Sequence, residues 1–110
     1  MSNDPITTHI LDLVTGRPAI GVSIKLFEAE QYLASGVTDV DGRLANWSGS
    51  IELKSSIYKL VFAVGDYFRD QGHESFYEDI VIAFRASDLE DHYHVPLLLS
   101  RYGYSTYRGS

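Results

Sequence analysis

Histidine is the side chain that exchanges protons most readily near neutral pH, and this sequence carries four: His9, His73, His92 and His94. Taken singly, each has a plain reading as a surface group or a hydrogen-bonded core residue. His73 follows Gln71-Gly72 at the end of an expected helix, where an imidazole complements the helix C-terminus. His92-Tyr93-His94 is different, because alternate residues of a strand share a face and this spacing sets two imidazoles side by side. Such a pair suits proton transfer or a metal site, and zinc would need a third ligand such as His9 or a carboxylate. Arg43, just past Asp41-Gly42, is a permanent cation with paired N–H donors. The acidic runs Glu28-Ala29-Glu30 and Asp88-Leu89-Glu90-Asp91 read as solvated connectors. There is no cysteine, no Gly-x-Ser-x-Gly elbow, no phosphate-binding glycine loop and no His-Glu-x-x-His helix.

The elements that must position these groups are short strands. Ile6 to Asp12 reads as a first strand, and Thr15-Gly16-Arg17-Pro18 as a turn. In Val22-Ser23-Ile24-Lys25-Leu26 the apolar residues recur with period two, so Val22, Ile24 and Leu26 face a core. Residues 36–38 form a short strand before a turn through Asp41-Gly42. The apolar run 57–64 predicts a fully buried strand, and 65–72 the one helix. Ile80, Ile82 and Phe84 alternate in the next strand. A last hairpin follows, with strands over 93–99 and 104–108. Seven or eight such strands predict an all-β, two-sheet sandwich. Tyr93, Val95, Leu97 and Leu99 then face its core, while His92, His94, Pro96 and Leu98 lie on the outer face. Pro96 and Leu98 have no reason to meet water there. A second copy of the chain covering this face would place His94 in a cleft between subunits.

With 110 residues, 12.3 kDa and 45% hydrophobic side chains, the chain 1–110 is sized for one domain with a modest core, so association between copies is a natural supplement. Fifteen acidic against nine basic side chains, a net charge of −6, argue against nucleic acid as a partner. No segment is long and apolar enough to span a bilayer, and the N-terminal residues lack a basic start and apolar stretch. A cytoplasmic location without membrane association is therefore expected.

Four segments carry a resemblance to a known family: Thr7-Thr8-His9-Ile10-Leu11-Asp12 with Thr15-Gly16-Arg17-Pro18-Ala19, Thr38-Asp39-Val40-Asp41-Gly42-Arg43, His94-Val95-Pro96-Leu97-Leu98-Leu99-Ser100, and Tyr102-Gly103-Tyr104-Ser105-Thr106-Tyr107-Arg108-Gly109-Ser110. Together they resemble the 5-hydroxyisourate hydrolases, the transthyretin-related enzymes of urate degradation within purine metabolism. The terminal Tyr-Arg-Gly-Ser and the placement of His94 are its specific parts. The resemblance implies a transthyretin-like (prealbumin-like) β-sandwich assembled as a homotetramer, a dimer of dimers with active sites at the interface. It also implies His9, Arg43 and His94 as the catalytic group, and Tyr107, Arg108, Gly109 and Ser110 closing the substrate pocket. The implied reaction opens the six-membered ring of 5-hydroxyisourate at an acyl C–N bond, giving 2-oxo-4-hydroxy-4-carboxy-5-ureidoimidazoline. His94 or His9 would be the base, and no metal or organic cofactor is required. Hormone-carrying relatives lack both histidines and have Thr-Thr-Ala-like residues in place of Tyr107-Arg108-Gly109. Arg101 and Glu78 depart from the hydrolase pattern, which usually has proline at both places.

Two other classes of function compete with this reading. A transthyretin-like small-ligand carrier would leave His9, His94 and Arg43 idle in an apolar channel, which is costly. A structural or adhesion module would be expected within a longer chain or behind a secretion signal.

Overall fold

Residues 4–110 are described in the computed structural model, and the strands lie where apolar and polar side chains alternate. In chain order the elements are β1 (Ile6–Asp12), β2 (Arg17–Pro18), β3 (Ser23–Glu28), β4 (Gln31–Val37), β5 (Arg43–Leu44), β6 (Ser56–Phe62), α1 (Val64–Asp70), β7 (Ile80–Ala86), β8 (Tyr93–Leu99) and β9 (Tyr104–Thr106). One sheet runs β2-β1-β8-β9, with β5 also on β1, and the other runs β4-β3-β6-β7. All pairs are antiparallel except β1 with β8, which run parallel with Thr7 opposite His94 and His9 opposite Pro96. The protein is an all-β two-sheet sandwich with one short helix.

The core lies between the sheets. Ile6, Ile10, Val95, Leu97 and Leu99 reach it from one side, and Ile24, Leu26, Tyr58, Leu60, Phe62, Ile80 and Ile82 from the other. Full burial of a large apolar side chain is worth roughly 1.5–3 kcal/mol, so this interior sets which face of each strand points outward. Buried polar groups are paired. Thr38 donates its hydroxyl hydrogen to Ala19 O at 2.7 Å and accepts from the Val22 N–H at 2.9 Å. The Asp12 carboxylate accepts from the Val14 N–H at 2.8 Å and from the Tyr67 hydroxyl at 2.7 Å, which docks α1 on β1. Burial first, and the Asp12 carboxylate second, push the Tyr67 phenol up to about 12.

Several expected boundaries move. β4 begins at Gln31 rather than near residue 36, because Ala29, at φ 51°, reverses the chain and lets 31–35 pair with β3. The acidic run 28–30 is therefore a hairpin turn. The run 57–64 is not a continuously buried strand. It buries Tyr58, Leu60 and Phe62 alternately, and Val64 already belongs to α1. Residues 17–18 form a two-residue strand on β1 where only a turn was expected.

β9 stops at Thr106 rather than at residue 108, and the reason lies in β8. His94 O accepts from the Gly109 N–H at 2.8 Å, so the backbone of Pro96, two residues on, turns toward the same neighbour. Pro96 has no N–H to give. The ladder therefore lapses at Tyr107 and Arg108 and resumes as an isolated bridge between His94 and Gly109.

The two positions that depart from the hydrolase pattern are engaged in contacts. Glu78 takes both guanidinium nitrogens of Arg69 at 2.8 and 2.6 Å, holding the 78–80 segment against α1. That pairing keeps the Glu78 carboxyl below its ordinary range. Arg101 donates through Nε to Glu74 O at 2.6 Å, tying the last hairpin turn to the loop after α1.

Gly42 decides where Arg43 stands. Its φ is +72°, and a Cβ there would lie 2.5 Å from Ile10 O. The Asp39 carboxylate completes the turn by accepting from the Asp41 and Arg43 N–H groups at 2.9 and 3.1 Å. Gly42→Ala is expected to cost about 2 kcal/mol or more, since an L side chain in this backbone region alone costs roughly 1–2 kcal/mol. Thermal unfolding should register it as a fall of about 8 °C or more.

Candidate active site

The outward positions of β1, β5 and β8 form one patch. On β1 the interior takes Ile6, Thr8, Ile10 and Asp12, which leaves Thr7, His9 and Leu11 facing out. Arg43 lies opposite His9 in the β1–β5 pairing, and His94 lies opposite Thr7 in the β1–β8 pairing. His9, Arg43 and His94, separated by up to 85 residues in the chain, thus share a face.

A cleft of about 240 Å³ opens there, lined by Thr7, Arg43, Ala45, His92, His94 and Ser110 among others. His94 is half-buried in its wall. Partial burial is the main force holding its imidazole below the ordinary histidine value, and the charges of Arg43, His92 and His9 act in the same direction. The ring is therefore neutral, with a free lone pair, at pH 7. Arg43, exposed and beside His9, makes no ion pair among the described residues. It presents its N–H donors to whatever enters the cleft.

The His92/His94 pair does not converge on a third donor. No group of three or more His, Asp or Glu side chains is gathered as a cation site among the described residues. The two rings instead share the Thr7 hydroxyl, 2.9 Å from His92 Nε2 and 2.9 Å from His94 Nδ1. His73 stands apart, in the loop after α1, with its backbone N–H on Phe68 O.

The four C-terminal residues divide. Ser110 lines the cleft and Gly109 lies beside His94. Tyr107 and Arg108 line a second space of about 260 Å³ on the other flank of His94, between β8 and β7, with Ile82, Phe84 and Tyr93. Arg108 is held there by Asp91 at 2.7 Å and lies over the Tyr93 ring at 4.7 Å. The His92 backbone N–H first, then Arg108, keep the Asp91 carboxyl below its usual range.

Gly109 is where the tail needs a glycine. A Cβ there would stand 2.5 Å from His94 Cδ2 and 3.1 Å from Pro96 Cγ, so the imidazole rests on the bare backbone. Gly109→Ala is expected to rotate or displace the ring and lower kcat about tenfold while leaving the melting temperature within a few degrees. Steady-state kinetics beside thermal unfolding checks this.

Thr7, Thr8, Leu44 and Ala45 also line the cleft, and none of them stands out in the sequence as a chemical group. Thr7 had a usable signal, since it lies two residues before His9 in a strand and so shares its face. Ala45 had none, because it follows the two-residue strand β5, whose seating on β1 is a tertiary contact.

Fold and site together define a transthyretin-like sandwich whose outer face carries two imidazoles and a guanidinium around one cleft. The sequence model of the HIUase/Transthyretin family matches residues 6–109, and the chain belongs to that family. It is 46% identical to the 5-hydroxyisourate hydrolase of Caulobacter vibrioides, over 96% of this chain and 97% of that protein. Its structure is similar to that of Klebsiella pneumoniae 5-hydroxyisourate hydrolase (TM-score 0.86, 40% identity, 96% of this chain and 98% of the other). It is equally similar in shape to Sparus aurata transthyretin (TM-score 0.87, 32% identity, 96% of both chains). Backbone shape thus does not separate enzyme from carrier, and the side chains in the cleft must.

Proposed function

We propose that this protein is a 5-hydroxyisourate hydrolase, with residues 1–110 acting as one domain and His94 and Arg43 as the reacting pair. The carrying observation is a half-buried His94 in the same cleft as Arg43, which makes no ion pair among the described residues. Relatives 46% identical in sequence are named 5-hydroxyisourate hydrolase, which supports the substrate. A carrier would have no use for this arrangement of polar groups.

In the proposed reaction His94 Nε2 takes a proton from water, and the hydroxide oxygen adds to the acyl carbon of the six-membered ring. Arg43 donates two N–H groups to the oxyanion that forms. Collapse of the adduct breaks the C–N bond, and the leaving nitrogen takes the proton back from His94. A carboxylic acid and an opened ring result, and the acid ionises to a carboxylate by losing its proton to solvent. His9, opposite Arg43 on the same sheet face but not among the residues lining the cleft, would meet substrate that extends past Arg43, and Ser110 bounds the cleft. Tyr107 and Arg108 act on the neighbouring flank, shaping the mouth. The steps draw on no cofactor.

The same reading includes a homotetramer. Pro96 is covered within the chain by its own tail, but Leu98 is only partly covered, and Leu13, Val14 and Ile20 are about half exposed near the same sheet. β7 and β9 are also sheet edges without a neighbour among the described residues. A second copy seated on these surfaces would close the cleft from above. The cytoplasmic setting expected from the sequence is part of this reading and rests on composition.

Added to a urate oxidase reaction, the protein should speed the decay of the 5-hydroxyisourate absorbance well above buffer, and an unchanged decay would refute the assignment. Because the base must be neutral and its proton affinity is depressed, kcat/KM should hold to lower pH than an ordinary histidine, of pKa about 6.5, would allow. A rate profile with its acid limb above that value would speak against His94. The sign for stability is the same. A depressed folded-state pKa means the unfolded chain binds more protons, so stability is lost as pH falls below the ordinary value.

A further inference from the structure

The Thr7 hydroxyl lies between two imidazole nitrogens and has a single hydrogen to give. It is 2.9 Å from His94 Nδ1 and 2.9 Å from His92 Nε2. If both contacts are hydrogen bonds, the hydroxyl donates to one ring and accepts from the other. We propose that Thr7 and His92 are positioning residues for His94: the Thr7 hydroxyl donates to His92 Nε2 and accepts from His94 Nδ1–H, leaving the lone pair of His94 on Nε2. This rests on the assignment of His94 as the base.

Three features favour this direction of the chain. No hydrogen bond to His94 Nε2 forms among the described residues, so that nitrogen is open to the cleft. The opposite arrangement would put the proton on Nε2 and leave the lone pair on Nδ1, blocked by Thr7 and useless for taking a proton from water. His92 is exposed, so its Nδ1–H can be satisfied by solvent while Nε2 accepts from Thr7. Thr7 is also fixed by the sheet, because it sits opposite His94 in the parallel β1–β8 register. The charged and titratable groups facing this unit are Arg43 on β5, His9 on β1, and Asp91 with Arg108 beside His92. Arg43 disfavours a second proton on His94.

The consequence is a base whose tautomer is chosen before substrate arrives. Thr7→Val keeps shape and removes the hydroxyl, and Thr7→Ser restores it. Thr7→Val should lower kcat about 10- to 50-fold, a part of the ~10²–10⁴ that a positioned general base contributes, with KM within about twofold. Thr7→Ser should remain within about threefold of the parent. His92→Phe should lower kcat less, about three- to tenfold, and the Thr7→Val/His92→Phe double variant should be no worse than Thr7→Val alone, because both act through one chain of hydrogen bonds. Nitrogen-15 NMR of the imidazole rings reads the tautomer without any turnover. His94 should carry its proton on Nδ1 in the parent and shift toward Nε2–H in Thr7→Val. Unchanged kcat in Thr7→Val, equal losses in Thr7→Val and Thr7→Ser, additive losses in the double variant, or a parent His94 protonated on Nε2 would each overturn the proposal. If the parent itself fails to accelerate decay of 5-hydroxyisourate, the assigned reaction falls, while the NMR result still judges the hydrogen-bond chain.

Discussion

His94→Asn is expected to lower turnover by about 10²–10⁴, the range a positioned general base supplies, while the protein keeps its fold and its assembly. Asparagine preserves one hydrogen-bonding position near Nδ1, so Thr7 keeps a partner and the β1–β8 seam is not opened. What it lacks is a nitrogen that is neutral and basic near pH 7. The ring it removes is partly exposed and contributes no core packing, so the unfolding midpoint should stay within a few degrees. Steady-state rates on freshly generated 5-hydroxyisourate, beside circular dichroism and light scattering, make the comparison. Near-parental turnover would reduce His94 to a structural role and shift the burden of proton transfer to His9.

Arg43→Lys tests charge against geometry. A lysine keeps the positive charge but offers a mobile point charge in place of a planar fork of N–H donors. Loss of one well-placed oxyanion donor typically costs about 10²–10³ in kcat, and a loss of that order is expected here. Arg43 makes no ion pair among the described residues, and its placement comes from the backbone of the Asp39–Gly42 turn. The substitution should therefore leave stability almost untouched, within the ±0.5 kcal/mol usual for such surface changes. If lysine supports parental kcat, the cation acts only by attracting substrate, and KM rather than kcat should carry any change.

Both expectations depend on a cleft that was only partly legible in the chain. Period-two alternation in β8 put Tyr93, Val95, Leu97 and Leu99 inside and His94 outside, and the structure agrees. The same period-two rule sets His9 outward in β1, where Ile10 is buried. The Asp-Gly turn before Arg43 was readable because glycine is the residue that accepts positive φ. β4 was mostly missed because Gln31, Ser35 and Gly36 carry little apolar signal and their pairing depends on β3. The true ends of β6 and β9 were hidden for different reasons. The apolar run 57–64 does not reveal that Val64 turns into a helix, and the break at residue 107 depends on a proline in another strand.

The order of the C-terminal residues gave no hint that they would part company. Tyr107 and Arg108 turn toward β7, held by Asp91 and the Tyr93 ring, whereas Gly109 and Ser110 stay with His94. Nor could spacing show that His92 and His94 would meet a threonine rather than a third metal ligand, since Thr7 is 85 and 87 residues away from them.

From its sequence alone this protein's strand faces followed, because which side of a strand is buried is a local property of alternating side chains, while its family and its candidate reactive residues followed from the resemblance carried by four segments. Which strands lie together did not follow. The parallel pairing of β1 with β8, and the seating of β5 on β1, are decided when the two sheets close over a common core, and only that closure brings Arg43, Thr7 and His94 to one cleft with His9 on the same face.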